Sequence, residues 1–154
     1  MAISQLPVSD PSRRIETILL ATDLSAASAG ATRRAIDLAK QLQARLLVVN
    51  VIDAGRSGLL PGRILRPVEE RVDRVEAASR VVQLARAAGA EAEFLVWEGD
   101  TGDGILAAAE AERADVIVVG SRGRSGLGRY LLGSISDAVV HRAECPVLVV
   151  RPDA

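Results

Sequence analysis

The feature that most limits what this chain can become is an alternation of two periodicities. Largely apolar runs at Ile15–Ala21 (IETILLA), Arg45–Val51 (RLLVVNV), Glu91–Val96, Ala114–Val119 (ADVIVV) and Pro146–Val150 (PVLVV) read as five strands. The stretches between them carry helical spacing. Ser25 is placed as an N-cap for a helix to about Gln43, with Ala31, Ala35, Leu38 and Leu42 on one face. A second helix is expected from Val68 to Ala88, ended by Gly89, with Val72, Val75, Ala78, Val82 and Ala85 as its apolar stripe. Asp103–Glu112 and Ser134–Ala143 complete the set.

Strands that are apolar on both faces and separated by helices imply a parallel sheet covered on each side, because right-handed crossovers place helices over both faces. The expected fold is α/β: a single-domain, doubly wound, five-stranded parallel sheet in the order 3-2-1-4-5. The domain is expected to span 15–152, after a mobile tail at 1–14 and with a variable loop at about 52–67, where three glycines and two prolines crowd together.

Composition narrows the function classes. At 154 residues, 49% apolar and 25% charged, the chain can bury one core and is not generally disordered. No apolar stretch approaches the ~18 residues that a bilayer span needs, so the expectation is a soluble protein without membrane contact. The N-terminus lacks the basic start and apolar centre of an export signal, and the single cysteine, Cys145, has no internal partner. Both point to the cytoplasm. A net charge of −1, a single lysine at Lys40 and 2% aromatic residues argue against a nucleic-acid partner.

The chemistry is concentrated in Gly120–Ser134 (GSRGRSGLGRYLLGS), directly after the fourth strand. Gly120, Gly123 and Gly133, followed by Ser134, are spaced so that backbone N–H groups can approach a phosphate with no Cβ in the way. A helix starting near Ser134 would aim its free amides at the same anion. In the 3-2-1-4-5 order, ligands bind beyond the carboxyl ends of the first and fourth strands. Asp23 follows the first and the glycine series follows the fourth, so both meet at one crevice.

The glycine series, with ATDLS (Ala21–Ser25), NVID (Asn50–Asp53), VVGSRG (Val118–Gly123) and CPVLVVRP (Cys145–Pro152), resembles the universal stress protein family, and in particular its ATP-binding branch. The resemblance covers nearly everything from Ile15 to Arg151. It implies that Asp23 holds the ribose, with helix capping as the alternative, and that Val51 meets adenine through its backbone, with plain core burial as the alternative. It implies a phosphate cradle of Gly120, Gly123, Gly133, Ser134 and Ser136, with Ser134 also a candidate N-cap. Arg122, Arg124 and Arg129 are candidate charge partners of a triphosphate, or else solvated loop residues. The implied ligand is ATP with Mg2+, and the implied assembly is a homodimer through strand 146–150 with a downstream protein partner.

Other chemistries fit less well. A Walker loop needs a lysine that this glycine loop lacks, and a phosphoacceptor receiver would need an Asp after the third strand, where Trp97 and Glu98 stand, and a late Lys. Trp97 and Glu98 are placed away from the crevice, as packing and solvation residues. No acid or histidine in the loop is poised to orient water, so any ATP hydrolysis would be slow. His141 is read as a surface residue near a helix end and Cys145 as a small buried group. A slow ATP hydrolase and a nucleotide-independent stress-response dimer remain the alternatives to a nucleotide-dependent regulatory dimer.

Overall fold

The computed structural model describes residues 13–53, 67–121 and 132–152. Its elements run β1 (Thr17–Ala21), a 3-10 turn (Ala26–Ser28), α1 (Ala29–Leu42), β2 (Arg45–Ile52), α2 (Pro67–Ala87), β3 (Ala92–Glu98), α3 (Thr101–Ala111), β4 (Val116–Gly120), α4 (Ser134–Arg142) and β5 (Val147–Val150). The strands form one parallel sheet in the order β3-β2-β1-β4-β5, as the periodicity predicts.

The period-2 alternation of the strands builds two core layers from the same residues. Ile18, Leu20, Leu46, Val48, Val116 and Val118 face α1 and α2, meeting Ala31, Ala35, Val82 and Ala85. Their neighbours Leu19, Leu47, Val49, Ile117 and Val119 face α3 and α4, meeting Ile105, Ala108 and Val139. Small helix residues against branched strand residues let the helices sit close to the sheet. At the amino-terminal edge, the Asp115 carboxylate accepts the N–H groups of Glu16 and Thr17 at 2.8 and 3.0 Å, tying β1 to β4.

Two expected helix faces are corrected. Leu42 is 43% exposed, and Ile36 and Ala39 take the buried positions beside Ala31 and Ala35. In α2, Val72 is 58% exposed, so the stripe that reaches the core begins later, at Ala78. The helix packs against β2 and β3, and the residues that reach the core, Val81, Val82 and Ala85, lie in its second half.

Candidate functional site

The candidate crevice lies at the carboxyl ends of β1 and β4. β1 and β4 pair side by side up to Ala21 and Val119. Beyond them each chain continues along its outer neighbour: the Thr22 N–H, one residue past Ala21, donates to Val49 of β2 at 3.0 Å, and the Ser121 N–H, two residues past Val119, donates to Val150 of β5 at 2.8 Å. The chain crosses from β1 to β2 through α1 on one face of the sheet and from β4 to β5 through α4 on the other, and this is the switch point at which doubly wound sheets bind ligands.

On the β1 side, Thr22 to Ser25 form a tightly bonded turn. Thr22 Oγ1 accepts the Leu24 N–H at 3.0 Å and shares a hydrogen bond of 2.9 Å with Ser28 Oγ. Asp23 Oδ1 accepts both the N–H and the hydroxyl of Ser25, at 2.9 and 2.5 Å. Ser25 therefore occupies the cap position without a side-chain cap bond of its own, correcting its expected role; Asp23 organises the helix entry. Leu24 adopts φ 63°, a left-handed conformation that a branched side chain takes only where its surroundings impose it.

Val51, near the end of β2, is half-buried, and its side chain joins the layer under α3. A Cβ on Gly104 of α3 would lie 3.0 and 3.1 Å from its methyl groups and 3.2 Å from Trp97 Cδ1. Core packing thus claims the side chain of Val51. Trp97, the register partner of Val51, lies on the edge strand β3 with β2 between it and the crevice, and packs in the same layer as Val51.

On the β4 side, Gly120 is the last strand residue and its carbonyl accepts the buried Ser136 hydroxyl at 2.8 Å. Gly133 is the N-cap of α4, and its N–H donates to Ser121 O at 2.8 Å. Two donors expected in the cradle, the Gly133 amide and the Ser136 hydroxyl, are therefore engaged within the protein. Ser134 is the first helical residue, so the N-cap alternative for it is corrected in favour of Gly133. The first backbone bond of α4 runs from Asp137 N to Gly133 O at 2.9 Å, leaving the N–H groups of Ser134, Ile135 and Ser136 without an intrahelical acceptor. Gly133 has φ −58°, and a Cβ there would sit at ordinary distances, 3.5 Å from Ser121 O and 3.6 Å from Ser136 Oγ. Arg122, Gly123, Arg124, Ser125, Gly126 and Arg129 lie outside the described residues.

Two crevice residues escaped the sequence reading. Asn50, 1% exposed, donates through Nδ2 to Thr22 O at 2.8 Å, while its Oδ1 has no partner among the described residues. A polar residue inside the apolar run RLLVVNV was the available signal. Arg74, from α2, donates to Asp23 O at 3.1 Å; it carried no signal, because nothing local ties a helix surface to the end of β1.

The remaining candidates are structural. His141 is exposed, with Nδ1 2.8 Å from Asp137 O on its own helix. Burial pushes the Cys145 thiol up from its ordinary value, with the Asp115 charge adding to the shift, so it is no activated nucleophile. Among the described residues no group of three His, Cys, Asp or Glu could hold a metal ion, and no helix is long and apolar enough to cross a membrane.

This fold and crevice define a class of α/β proteins that bind ligands at a switch point, and the comparisons narrow it. The model of the universal stress protein family matches residues 14–151. A universal stress protein of Methanocaldococcus jannaschii is 34% identical over 139 residues, covering 87% of this chain and 81% of that one. Among solved structures, the universal stress protein UspA of Lactobacillus plantarum superposes with a TM-score of 0.75 at 26% identity, covering 90% of this chain and 99% of that one. A universal stress protein in complex with cAMP matches with a TM-score of 0.70 at 26% identity, covering 90% and 98%. The chain belongs to the universal stress protein family.

Proposed function

We propose that this chain is a cytoplasmic, nucleotide-dependent regulatory protein that binds ATP at the crevice between β1 and β4 and acts as a homodimer. The observation that carries the reading is the switch point of the sheet: β1–β4 pairing ends at Ala21 and Val119, the chain leaves the two strands toward helices on opposite faces, and the Asp23 turn and the start of α4 follow at that end. Asp23 takes the ribose with its carboxylate, and the backbone of Val51 takes the adenine edge. The amides of Ser134, Ile135 and Ser136, with the positive end of α4, receive phosphate oxygens. Gly120, Arg122 and Gly123 complete the cradle. Gly133 suits both its N-cap position and this reading, since the absence of a Cβ keeps the start of α4 accessible to a ligand. A related structure holds cAMP, an adenine nucleotide. Mg2+ would be carried by the phosphates.

The experiment is mass analysis of the small molecules released from purified protein by heat, followed by calorimetry with MgATP and a phosphate-release assay. Release of an adenine nucleotide and saturable ATP binding, lost in Gly123→Val, are expected. Equal affinity in Gly123→Val and the parent would remove the cradle. Rapid phosphate release would move the protein to the hydrolase reading.

A further inference from the structure

Between positions 71 and 77, α2 is held by polar contacts and by the half-buried Val75 and Ala77. Its buried residues, Ala78, Val82 and Ala85, belong to the later turns, and no side chain between positions 71 and 77 is buried. Two arginines tie this stretch to the sheet: Arg71 pairs with Glu98 at the end of β3, and the half-buried Arg74 reaches the Asp23 carbonyl at 3.1 Å. Helix segments held this way open more easily than segments seated in a core.

The turn that presents Asp23 is gripped at two successive carbonyls. Asn50 holds Thr22 O at 2.8 Å from within the sheet, and Arg74 holds Asp23 O from the helix. Leu24, at φ 63°, adds backbone strain that persists only while neighbours fix the turn. A guanidinium on a carbonyl is a charge-assisted bond and among the stronger ones available for that purpose.

We propose that Arg74 is a positioning residue for Asp23: by clamping the turn to α2, it makes nucleotide affinity at the crevice depend on docking of the first half of that helix. The inference rests on the nucleotide reading of Asp23. By linkage, nucleotide occupancy tightens the docking of α2 by the same factor, so this helix reports the state of the site.

The test combines amide hydrogen exchange without nucleotide and calorimetry with ATP and inorganic triphosphate, on the full chain and its Arg74→Ala, Arg74→Lys, Asp23→Ala and double Ala variants. Arg74→Ala should speed exchange at residues 23–25 and 71–77, and weaken ATP about tenfold while sparing triphosphate. Arg74→Lys, which keeps one charged donor, should recover part of both effects. The double variant should bind ATP no more weakly than Asp23→Ala alone, because Arg74 acts through Asp23. Additive losses, or equal losses for ATP and triphosphate, would overturn the proposal by placing Arg74 on the ligand. Unchanged exchange in Arg74→Ala would overturn the clamp. A parent that takes up no nucleotide would overturn the site reading and the affinity claim together, and the exchange comparison distinguishes that failure from failure of the clamp alone.

Discussion

At the scale of single residues, Asp23 carries a duty in the turn and, in the proposed function, a second toward the nucleotide, and its amide variant separates the two. Its Oδ1 orders the turn through Ser25, and in the proposed function its charge holds the ribose. Asp23→Asn keeps an acceptor for Ser25 and removes the charge, so it should fold like the parent yet bind ATP at least about tenfold more weakly, as expected for loss of a charged hydrogen bond. Triphosphate affinity should stay unchanged in the same titration; equal weakening of both ligands would reassign Asp23 to the turn alone. The glycines of α3 give a second contrast. A Cβ on Gly102 would meet its neighbours at 3.6 and 3.8 Å, whereas one on Gly104 comes within 3.0 Å of Val51, whose χ1 is stiff and whose backbone is fixed in the sheet. Gly102→Ala should therefore raise stability by about 0.5 kcal/mol through reduced unfolded-state freedom. In Gly104→Ala the same gain is outweighed by overpacking of about 1–3 kcal/mol. Urea midpoints that move in the same direction for both variants would refute this reading of the Val51 contact.

At the scale of elements, β5 is an edge strand with an unusual surface. Its register with β4 covers one side only, and Leu148 is 38% exposed while Val147, Val149 and Val150 are half-buried. An apolar edge with unpaired backbone groups invites a partner strand, which is the physical case for the proposed dimer. Val149 packs partly into its own core, so the variant that tests the edge without unseating the strand is Leu148→Lys. It should shift the protein toward monomer in sedimentation with little change in melting; a parent already monomeric at micromolar concentration would contradict the dimer. The strands were legible from the sequence because each is a short apolar run whose neighbours alternate between two buried layers. The helix faces were less so. Val72 joins the expected stripe by successive steps of three, but these drift around the helix, so it stands about 80° from Val82 and off the face that Ala78, Val82 and Ala85 bury. Element ends moved for a separate reason: β3 runs on to Glu98 because β2 continues beside it as far as Ile52.

At the scale of the whole molecule, the crevice was foreseeable and its wiring was not. Topology brings Asp23 and Gly120 to one end of the sheet, since β1 and β4 are neighbours in the 3-2-1-4-5 order. Which donors remain for a ligand depends on contacts that no local pattern encodes: Ser136 is spent on Gly120, Gly133 on Ser121, and Arg74 arrives from a helix on the other side of a long connection. In the proposed function, ligand binding therefore falls at the carboxyl ends of the strands, on amides without intrahelical partners. Its most direct test is an amide chemical-shift titration of the full chain with MgATP. The largest saturable shifts should fall on residues 22–25, 51–52, 120–121 and 134–136, with Ala44, Ala90 and Ala114 at the opposite end of the sheet unmoved. Saturable shifts centred on that opposite end, or no saturable shifts at millimolar ATP, would contradict the account.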